Sequence, residues 1–301
     1  KVGENFVFEV LKKKFLLTAK REFKIKSLID KKLTNFFFKL FFLRKVLTNV
    51  KLDKPDLIIT RSSLSSILFS IFRIKHILEI HSEFQSLTKF LMINLKFIES
   101  NYIKKKILIS ESLNKIFNFN KKEYIVLHDG VDINNYKDTQ DRNEIKKVCY
   151  TGGFYKGRGI ELIIDLARNF QDLEFELYGQ TDVKLKINLN NVKIFDYVNY
   201  CNIPNILSNS DILLMPYANK VFVRSKSLNT ADYCSPLKMF DYLASGKIII
   251  SSKLNGICEV LKHNKNSIIV EEFKYESWKK EVSKILRKEY NLQSIKKNAI
   301  K

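Results

Sequence analysis

The sequence predicts an α/β protein with two parallel-sheet domains that face each other across a cleft. Short apolar runs alternate with longer amphipathic ones, which is the pattern of strands and helices in a parallel sheet. The alternation occurs twice, before and after a polar segment at 134–144 that lacks apolar periodicity. A chain of 301 residues with 45% hydrophobic content can bury a core in each of two domains. We therefore expect one domain at 1–140 and a second at 141–301.

The N-terminal half is predicted to contain a βαβαβαβ run preceded by basic amphipathic helix. Residues 5–50 are rich in Phe and Leu, which recur at a spacing of three to four residues with Lys and Arg between them. This pattern predicts one or two such helices. The strands of the run are predicted at 56–60, 76–80, 106–109 and 124–127, and the helices at 62–72, 84–98 and 111–117.

The C-terminal half repeats the alternation. Strands are predicted at 147–151, 173–177, 192–195, 211–215 and 248–251, and helices at 160–170, 203–208, 236–244 and 275–285, the last with Trp278 in the core. Because parallel sheets bind ligands beyond the carboxyl ends of their strands, we expect the ligand at that edge.

A glycine-rich turn at 150–159 joins a predicted strand to a predicted helix. Gly152 and Gly153 allow backbone N–H groups to approach a ligand, and Lys156 and Arg158 add cationic donors. The turn lacks the Gly-Lys-Ser/Thr of a phosphate-binding P-loop and the Gly-x-Gly-x-x-Gly of a dinucleotide site. These residues predict an anion site, with an ordinary glycine turn as the alternative.

The segment 235–246 predicts a second anion site at the start of a helix. Ser235 is predicted as the N-cap and Pro236 as the first helical residue. The amides of Leu237 and Lys238 would then point out of the helix start, where the helix dipole favours an anion.

Asp241 follows one helical turn after Leu237, on the same face. Its carboxylate could accept hydrogen bonds from hydroxyl groups of a ligand whose phosphate lies at the helix start. The alternative is an amphipathic helix on which Asp241 is a solvated acid.

These two segments resemble the GT-B glycosyltransferases of family 4, cytoplasmic enzymes with two Rossmann-like domains that transfer a sugar from a nucleotide sugar with retention of configuration. Residues 235–246 resemble the Ser-Pro-Leu-Lys-x-Phe-Glu-Tyr-x-Ala-x-Gly segment of polysaccharide-assembling members, and 150–159 resemble the Tyr-x-Gly…Lys-Gly turn. Further similar segments lie at 79–81, 109–112, 128–132 and 211–217, so that the resemblance extends from about residue 56 to the end. Members of this family begin with a strand and a glycine-rich loop, whereas the only early glycine here is Gly3, so the resemblance implies that the N-terminal domain is incomplete.

The resemblance implies roles for individual residues. It implies a donor-diphosphate site formed by Gly152, Gly153, Arg158, Ser235, Pro236, Leu237 and Lys238, of which Arg158 and Lys238 are catalytic. Arg158 stands where the family has a lysine, and Gly153 stands where many members have an arginine. Asp241, in place of a glutamate, would bind the ribose. Tyr233 stands where the family has an acidic residue near the donor sugar, and the catalytic His81 would contact that sugar, a structural histidine being the alternative.

The expected reaction is a retaining hexosyl transfer in cell-surface polysaccharide or lipopolysaccharide assembly. The chain contains no Asp-x-Asp sequence, so we expect neither a metal ion nor another cofactor, and the departing diphosphate would be stabilised by protein cations and amides. Two alternatives within the same architecture are a nucleotide-sugar 2-epimerase and an inactive family member.

The net charge of +21 predicts an anionic partner, although a composition biased towards Lys, Asn and Ile also explains part of it. We expect a nucleotide sugar, a glycan or lipid-linked acceptor, and an anionic membrane surface that contacts the basic N-terminal region. Nucleic acid is not expected, because the aromatic residues lie mainly in apolar runs. Four scattered cysteines and the absence of a secretory signal indicate a cytoplasmic protein, peripheral on the inner face of the membrane.

Overall fold

The computed structural model describes residues 36–136, 144–180, 187–222 and 228–300, with side chains from residue 41 onward. The described chain forms two compact units, one of residues 36–128 and one of residues 129–300. Each unit contains a sheet of parallel strands, which confirms the predicted α/β class. No helix in these described ranges is long and apolar enough to cross a membrane.

The first unit contains a four-stranded parallel sheet in the order β1-β2-β3-β4. Its strands are β1 (Ile59–Thr60), β2 (His76–Ile80), β3 (Ile103–Leu108) and β4 (Tyr124–Val126). Its α-helices are α1 (Phe36–Asp53), α2 (Ser63–Ile71), α3 (Ser86–Lys89) and α4 (Glu111–Phe117). The Ser62 side chain caps α2 by accepting a hydrogen bond from the amide of Ser65, as a serine before an apolar period predicts.

Several predictions in this unit are only partly correct. Strand β1 is limited to the last two residues of the predicted 56–60, and β3 begins three residues before the predicted 106. The helix predicted at 84–98 is divided into α3, a π-helical turn at Phe90–Asn94 and a 3₁₀ turn at Phe97–Glu99. Lys96 has a φ of 56°, in the left-handed region, and this conformation separates the last two turns. A helix is confirmed from residue 36 within the predicted range 5–50, but its apolar residues are not confined to one face, so its predicted amphipathic character is not confirmed. Residues 5–35 of that prediction lie outside the described residues.

The second unit contains a six-stranded parallel sheet in the order β10-β9-β8-β5-β6-β7. Its strands are β5 (Lys147–Thr151), β6 (Glu174–Tyr178), β7 (Val192–Phe195), β8 (Ile212–Met215), β9 (Ile248–Ser252) and β10 (Ile268–Val270). The first five agree with the prediction to within one residue. The three-residue strand β10 was not predicted, because so short an apolar run has no measurable period.

Helices cover both faces of this sheet. They are α5 (Ile160–Asn169), α6 (Ile203–Ser208), α7 (Leu237–Ala244), α8 (Asn255–Cys258), α9 (Tyr275–Leu286) and α10 (Leu292–Ala299). Alternate residues of β5 enter opposite cores: Tyr150 packs with α5 and α9, whereas Cys149 packs with α6, α7 and α8. Trp278 is fully buried in the first of these cores, as predicted.

The strand order reverses between β5 and β8, which are hydrogen-bonded neighbours with Val148 opposite Ile212. The chain runs outward from β5 through β6 and β7, returns to β8, and then runs outward in the other direction. In open parallel sheets, the crevice at the carboxyl ends of two such strands is the usual ligand site. The glycine turn follows β5 and Tyr217 follows β8, so both lie at this point.

Candidate active site

Arg158 and Lys238 come together on the aromatic ring of Tyr217. The guanidinium carbon of Arg158 lies 4.6 Å from the centre of that ring, and the Lys238 Nζ lies 5.3 Å from it. Lys238 Nζ also lies 3.7 Å from the centre of the Tyr150 ring. The negative faces of the two rings partly compensate the desolvation of the cations. The glycine turn, the segment after β8 and α7 thus converge on one site.

Four hydrogen-bonding groups of this region are buried and have no hydrogen-bond partner among the described residues. They are Arg158 Nε, Lys238 Nζ, Ser235 Oγ and the Tyr217 hydroxyl. Burial of an unpaired cation is costly, and native proteins rarely leave such donors unsatisfied without a functional reason. Within the described ranges neither Arg158 nor Lys238 forms an ion pair. Two neighbouring cations that form no ion pair can be completed by a bound anion.

The environment of Lys238 disfavours the protonated form of its amine. Its pKa lies well below the usual lysine value, first because burial disfavours the ammonium form and second because the positive Arg158 is nearby. A diphosphate at this position would supply negative charge and restore the ammonium form.

The glycine turn leaves room for Lys238. Gly152 has a φ of +130°, and a Cβ atom there would lie 2.9 Å from Lys238 Nζ. Gly153 is restricted for a different reason, because a Cβ atom at this position would lie 2.4 Å from the ring of Tyr155. The Tyr150 hydroxyl donates a hydrogen bond of 3.1 Å to the Gly153 carbonyl and holds the turn in place. Tyr155 therefore occupies the space that a side chain at position 153 would need.

The start of α7 differs from the prediction. Pro236, with φ −75° and ψ 129°, is the N-cap, and no side chain caps the helix. The prediction that Ser235 is the N-cap was wrong, because the extended conformation of Pro236 delays the helix by one residue and directs the serine into the interior. The amides of Leu237 and Lys238 are first-turn donors without intrahelical acceptors.

A hydrogen bond connects helix α7 to strand β5. The Tyr242 hydroxyl accepts a hydrogen bond of 2.9 Å from the amide of Thr151, the last residue of that strand. Because this contact is buried, it fixes the position of α7 relative to the glycine turn.

Asp241 is buried, with 5% of its surface exposed, so the alternative of a solvated acid is wrong. Its Oδ1 accepts hydrogen bonds from the hydroxyls of Tyr136 at 2.5 Å and Tyr200 at 2.8 Å. Burial raises the pKa of Asp241, and the two phenols and the positive Lys238 oppose that rise. The sequence contained no signal for these tyrosines, because both lie in irregular segments.

Two further expected site residues lie in different surroundings. Tyr233 is 2% exposed and belongs to the interior of the second unit. His81 follows β2 in the first unit, and both of its ring nitrogens are engaged: Arg61 donates to Nδ1 at 3.1 Å, and Nε2 contacts the Glu79 carboxylate. Because Nδ1 accepts, the proton lies on Nε2 and is donated to Glu79. Sequence reasoning did not identify Arg61.

The donors at this site suit an anionic ligand. The described parts of the chain contain no group of three or more His, Cys, Asp or Glu side chains that could hold a metal. The site instead presents two cations, a hydroxyl and first-turn amides, which are donors for phosphate oxygens.

Comparison with protein families identifies the chain. A model of the family described as glycosyl transferases group 1 matches residues 132–301, which is more than half of the chain and includes this site. The chain belongs to the group 1 glycosyltransferases. Comparison with curated proteins gives no significant match.

Solved structures support the fold of this group 1 glycosyltransferase. A glycosyltransferase from Rickettsia africae is similar with a TM-score of 0.71 and 15% identity, over 99% of this chain and 82% of that one. HepE from Anabaena, in complex with UDP, gives a TM-score of 0.64 and 16% identity over 86% and 76%. WaaG, a glycosyltransferase involved in lipopolysaccharide biosynthesis, gives 0.59 and 12% identity over 92% and 81%. At these identities the similarity concerns the fold alone, and the fold is that of GT-B glycosyltransferases.

Proposed function

We propose that this group 1 glycosyltransferase uses a nucleotide-sugar donor whose diphosphate binds between Arg158 and Lys238. The observation that carries the proposal is the set of buried, unpaired donors at the point where the strand order reverses. A diphosphate supplies the anionic oxygens that this set lacks. The UDP bound by the structurally similar HepE is a ligand of this class.

The proposed catalysis is electrostatic. When the bond between the sugar and the diphosphate breaks, negative charge accumulates on the departing phosphate oxygen. Arg158 and Lys238 neutralise that charge, while Ser235 and the first amides of α7 donate hydrogen bonds to it. Their positions are fixed before the reaction, so little reorganisation is required. In this proposal the positive charge comes from side chains, and no metal ion or other cofactor takes part.

The stereochemical course follows from the resemblance to family 4. The acceptor hydroxyl attacks the face that the diphosphate leaves, the leaving phosphate oxygen takes the proton, and the configuration is retained. His81 is proposed to bind the donor sugar, for which one ring nitrogen must exchange its contact with Arg61 or Glu79 for a sugar hydroxyl. Tyr233 is proposed to lie near the same sugar, where its burial implies an apolar contact.

The proposed acceptor is a glycan or lipid-linked glycan of cell-surface polysaccharide assembly at the cytoplasmic face of the membrane. The resemblance of 235–246 to polysaccharide-assembling members supports this acceptor class, and the fold similarity to WaaG agrees with it. A basic N-terminal surface would bring the protein to an anionic membrane. In the described helix α1, Arg44 and Lys45 are exposed, and Phe41 beside them is 52% exposed.

A donor panel tests the proposed reaction. UDP-, GDP- and ADP-sugars are incubated with lipid-linked acceptors, products are detected by mass spectrometry, and NMR spectroscopy assigns the new anomeric centre. A retained glycoside supports the proposal. An inverted product contradicts the stereochemistry, and a sugar that isomerises without any acceptor indicates a 2-epimerase. Failure to bind any nucleoside diphosphate indicates an inactive member.

Sedimentation with liposomes tests the membrane proposal. Basic residues near an anionic surface contribute about 1 kcal/mol each, so binding should increase with anionic lipid and decrease with salt. Equal recovery in the supernatant with neutral and anionic vesicles at low salt contradicts it.

A further inference from the structure

We propose that Tyr136 and Tyr200 are positioning residues that orient the Asp241 carboxylate towards the ribose of the donor nucleotide. The inference rests on the proposed function, because it requires a nucleotide at this site. Tyr136 and Tyr200 belong to no recognisable motif, and both lie outside α7.

The two hydrogen bonds to Asp241 reach the same carboxylate oxygen. Both phenols donate to Oδ1, whereas Oδ2 accepts no hydrogen bond from the described residues. Two donors on one oxygen fix the rotation of the carboxylate about its last bond. Oδ2 therefore points in a fixed direction and can still accept hydrogen bonds from a ligand. A pair of adjacent hydroxyl groups, as in a ribose, is the kind of donor that this oxygen can accept.

The two phenols come from separate parts of the second unit. Tyr136 follows a 3₁₀ turn at Ile133–Asn135 that begins at Asp132, and Tyr200 opens a 3₁₀ turn at Tyr200–Asn202 beyond β7. Asp241 lies in the middle of α7. The carboxylate is thus held by three segments that are distant in sequence, and its orientation does not depend on the flexibility of its own side chain.

The electrostatics agree with this geometry. Burial and the nearby carboxylate raise the pKa of both Tyr136 and Tyr200 well above the usual tyrosine value, so both phenols keep their protons and remain donors. Their hydrogen bonds favour the ionised form of Asp241, which burial disfavours. Among the described residues, the positive Lys238 also favours the ionised form of this carboxylate, as the two phenols do.

Calorimetry with matched ligands separates the ribose from the diphosphate. UDP, GDP and ADP are titrated first, and the tightest of them is compared with its 2′,3′-dideoxy analogue and with inorganic pyrophosphate. For the double variant Tyr136→Phe/Tyr200→Phe we expect affinity for the nucleoside diphosphate to fall about tenfold, because a ligand contact to a charged acceptor is weakened. Affinity for pyrophosphate and for the dideoxy analogue should remain unchanged.

The pH dependence of binding provides a readout that a purely structural role would not change. Removal of the phenols raises the Asp241 pKa, so the acid limb of nucleoside diphosphate binding should move to higher pH in the double variant. Tyr275→Phe is the matched control, because the buried Tyr275 hydroxyl has no partner in the described chain. The Tyr275→Phe variant should leave both the affinity for the nucleoside diphosphate and the pH of the acid limb unchanged. Circular dichroism and thermal melts establish that each variant is folded.

The outcomes distinguish this inference from the proposed function. If the folded wild type binds none of the three nucleoside diphosphates, the proposed function fails and the inference fails with it. If the wild type binds one of them and the double variant binds it equally well with the same acid limb, only the positioning role is overturned. Equal losses for the nucleotide, its dideoxy analogue and pyrophosphate also overturn it, because they indicate a general distortion of the site. Should the double variant not fold, Asp241→Asn must show the selective loss of ribose recognition, or the inference is rejected.

Discussion

Lys238 Nζ lies 3.7 Å from the centre of the Tyr150 ring and forms no ion pair with any described residue. This contact places a buried ammonium group against an aromatic face instead of a carboxylate. A second cation, Arg158, lies on the ring of Tyr217, which Lys238 also approaches. A site with this composition is electrostatically incomplete without an anion, and the following predictions depend on that property.

Arg158→Ala should lower turnover by on the order of 100-fold, because one of the two cations that stabilise the leaving group is removed. Steady-state kinetics with the best donor measures the effect. Arg168→Ala is the matched control, since Arg168 is exposed at the end of α5 and pairs with Asp165. Its activity should equal that of the wild type. Near-normal kinetics of Arg158→Ala would remove Arg158 from the site.

Lys238→Met should reduce activity at least as strongly and should leave the free energy of unfolding unchanged or higher. Methionine fills a similar volume, and it removes the cost of burying a cation that has no counter-ion. Steady-state kinetics measures the activity, and thermal melts with and without the tightest-binding nucleoside diphosphate measure the stability. The stabilisation by that ligand should be lost. Lys280→Met, at an exposed position of α9, is the control. A large loss of stability in Lys238→Met would show that the ammonium group has an unrecognised structural partner.

Binding of a nucleoside diphosphate should take up a proton at Lys238. The pKa of this lysine is lowered in the free protein, and a bound anion favours the ammonium form, so its pKa rises on binding. Affinity should therefore decrease as the pH rises through the free-state pKa. Calorimetry in buffers of different ionisation enthalpy measures the uptake, which should be absent in Lys238→Met. Proton release in the wild type would contradict the assignment.

The lowered pKa of Lys238 also has a consequence for the ligand-free protein. Between the lowered folded-state pKa and the ordinary value of 10.5, the unfolded chain holds more protons at this residue than the folded protein. The contribution of Lys238 to the free energy of unfolding therefore increases with pH across that window. Urea titrations of the wild type and of Lys238→Met should differ in their pH dependence in this direction.

Gly152→Ala should weaken binding of a nucleoside diphosphate about tenfold or more and destabilise the protein by about 1–2 kcal/mol. The new Cβ would lie 2.9 Å from Lys238 Nζ and would displace it, and a φ of +130° is strained for alanine. Gly130→Ala is the control, because a Cβ there has no atom within 4 Å and the backbone is not in the left-handed region. Unchanged affinity of Gly152→Ala would show that the position of Lys238 is not set by this glycine.

The local sequence predicted the elements that hold the site more successfully than the contacts within it. The strands at His76–Ile80, Lys147–Thr151 and Val192–Phe195 have the bounds that their apolar runs predict. Helix Glu111–Phe117 begins after Ser110, whose side chain accepts from the Leu113 amide. These features depend on neighbours within a few residues, and such information is contained in a short stretch of sequence.

The contacts of the site were less accessible to sequence reasoning. The glycine turn, Arg158, Lys238 and Asp241 were identified because they lie in recognisable segments. Their surroundings were not, and Ser235 was assigned the wrong role because the N-cap depends on the backbone conformation of Pro236.

The sequence by itself therefore determined the two parallel-sheet units, the glycine turn at 150–159, helix α7, and the membership of the chain in a family of glycosyltransferases. Only the tertiary structure decided that the Lys238 ammonium is buried against aromatic rings and that Tyr136 and Tyr200 meet at Asp241. The physical reason is the separation along the sequence of the residues that interact. A periodicity is formed by residues within a few positions of one another, whereas Tyr136 is 105 positions from the carboxylate that it contacts. Such a contact exists only when the order of the strands brings distant segments together.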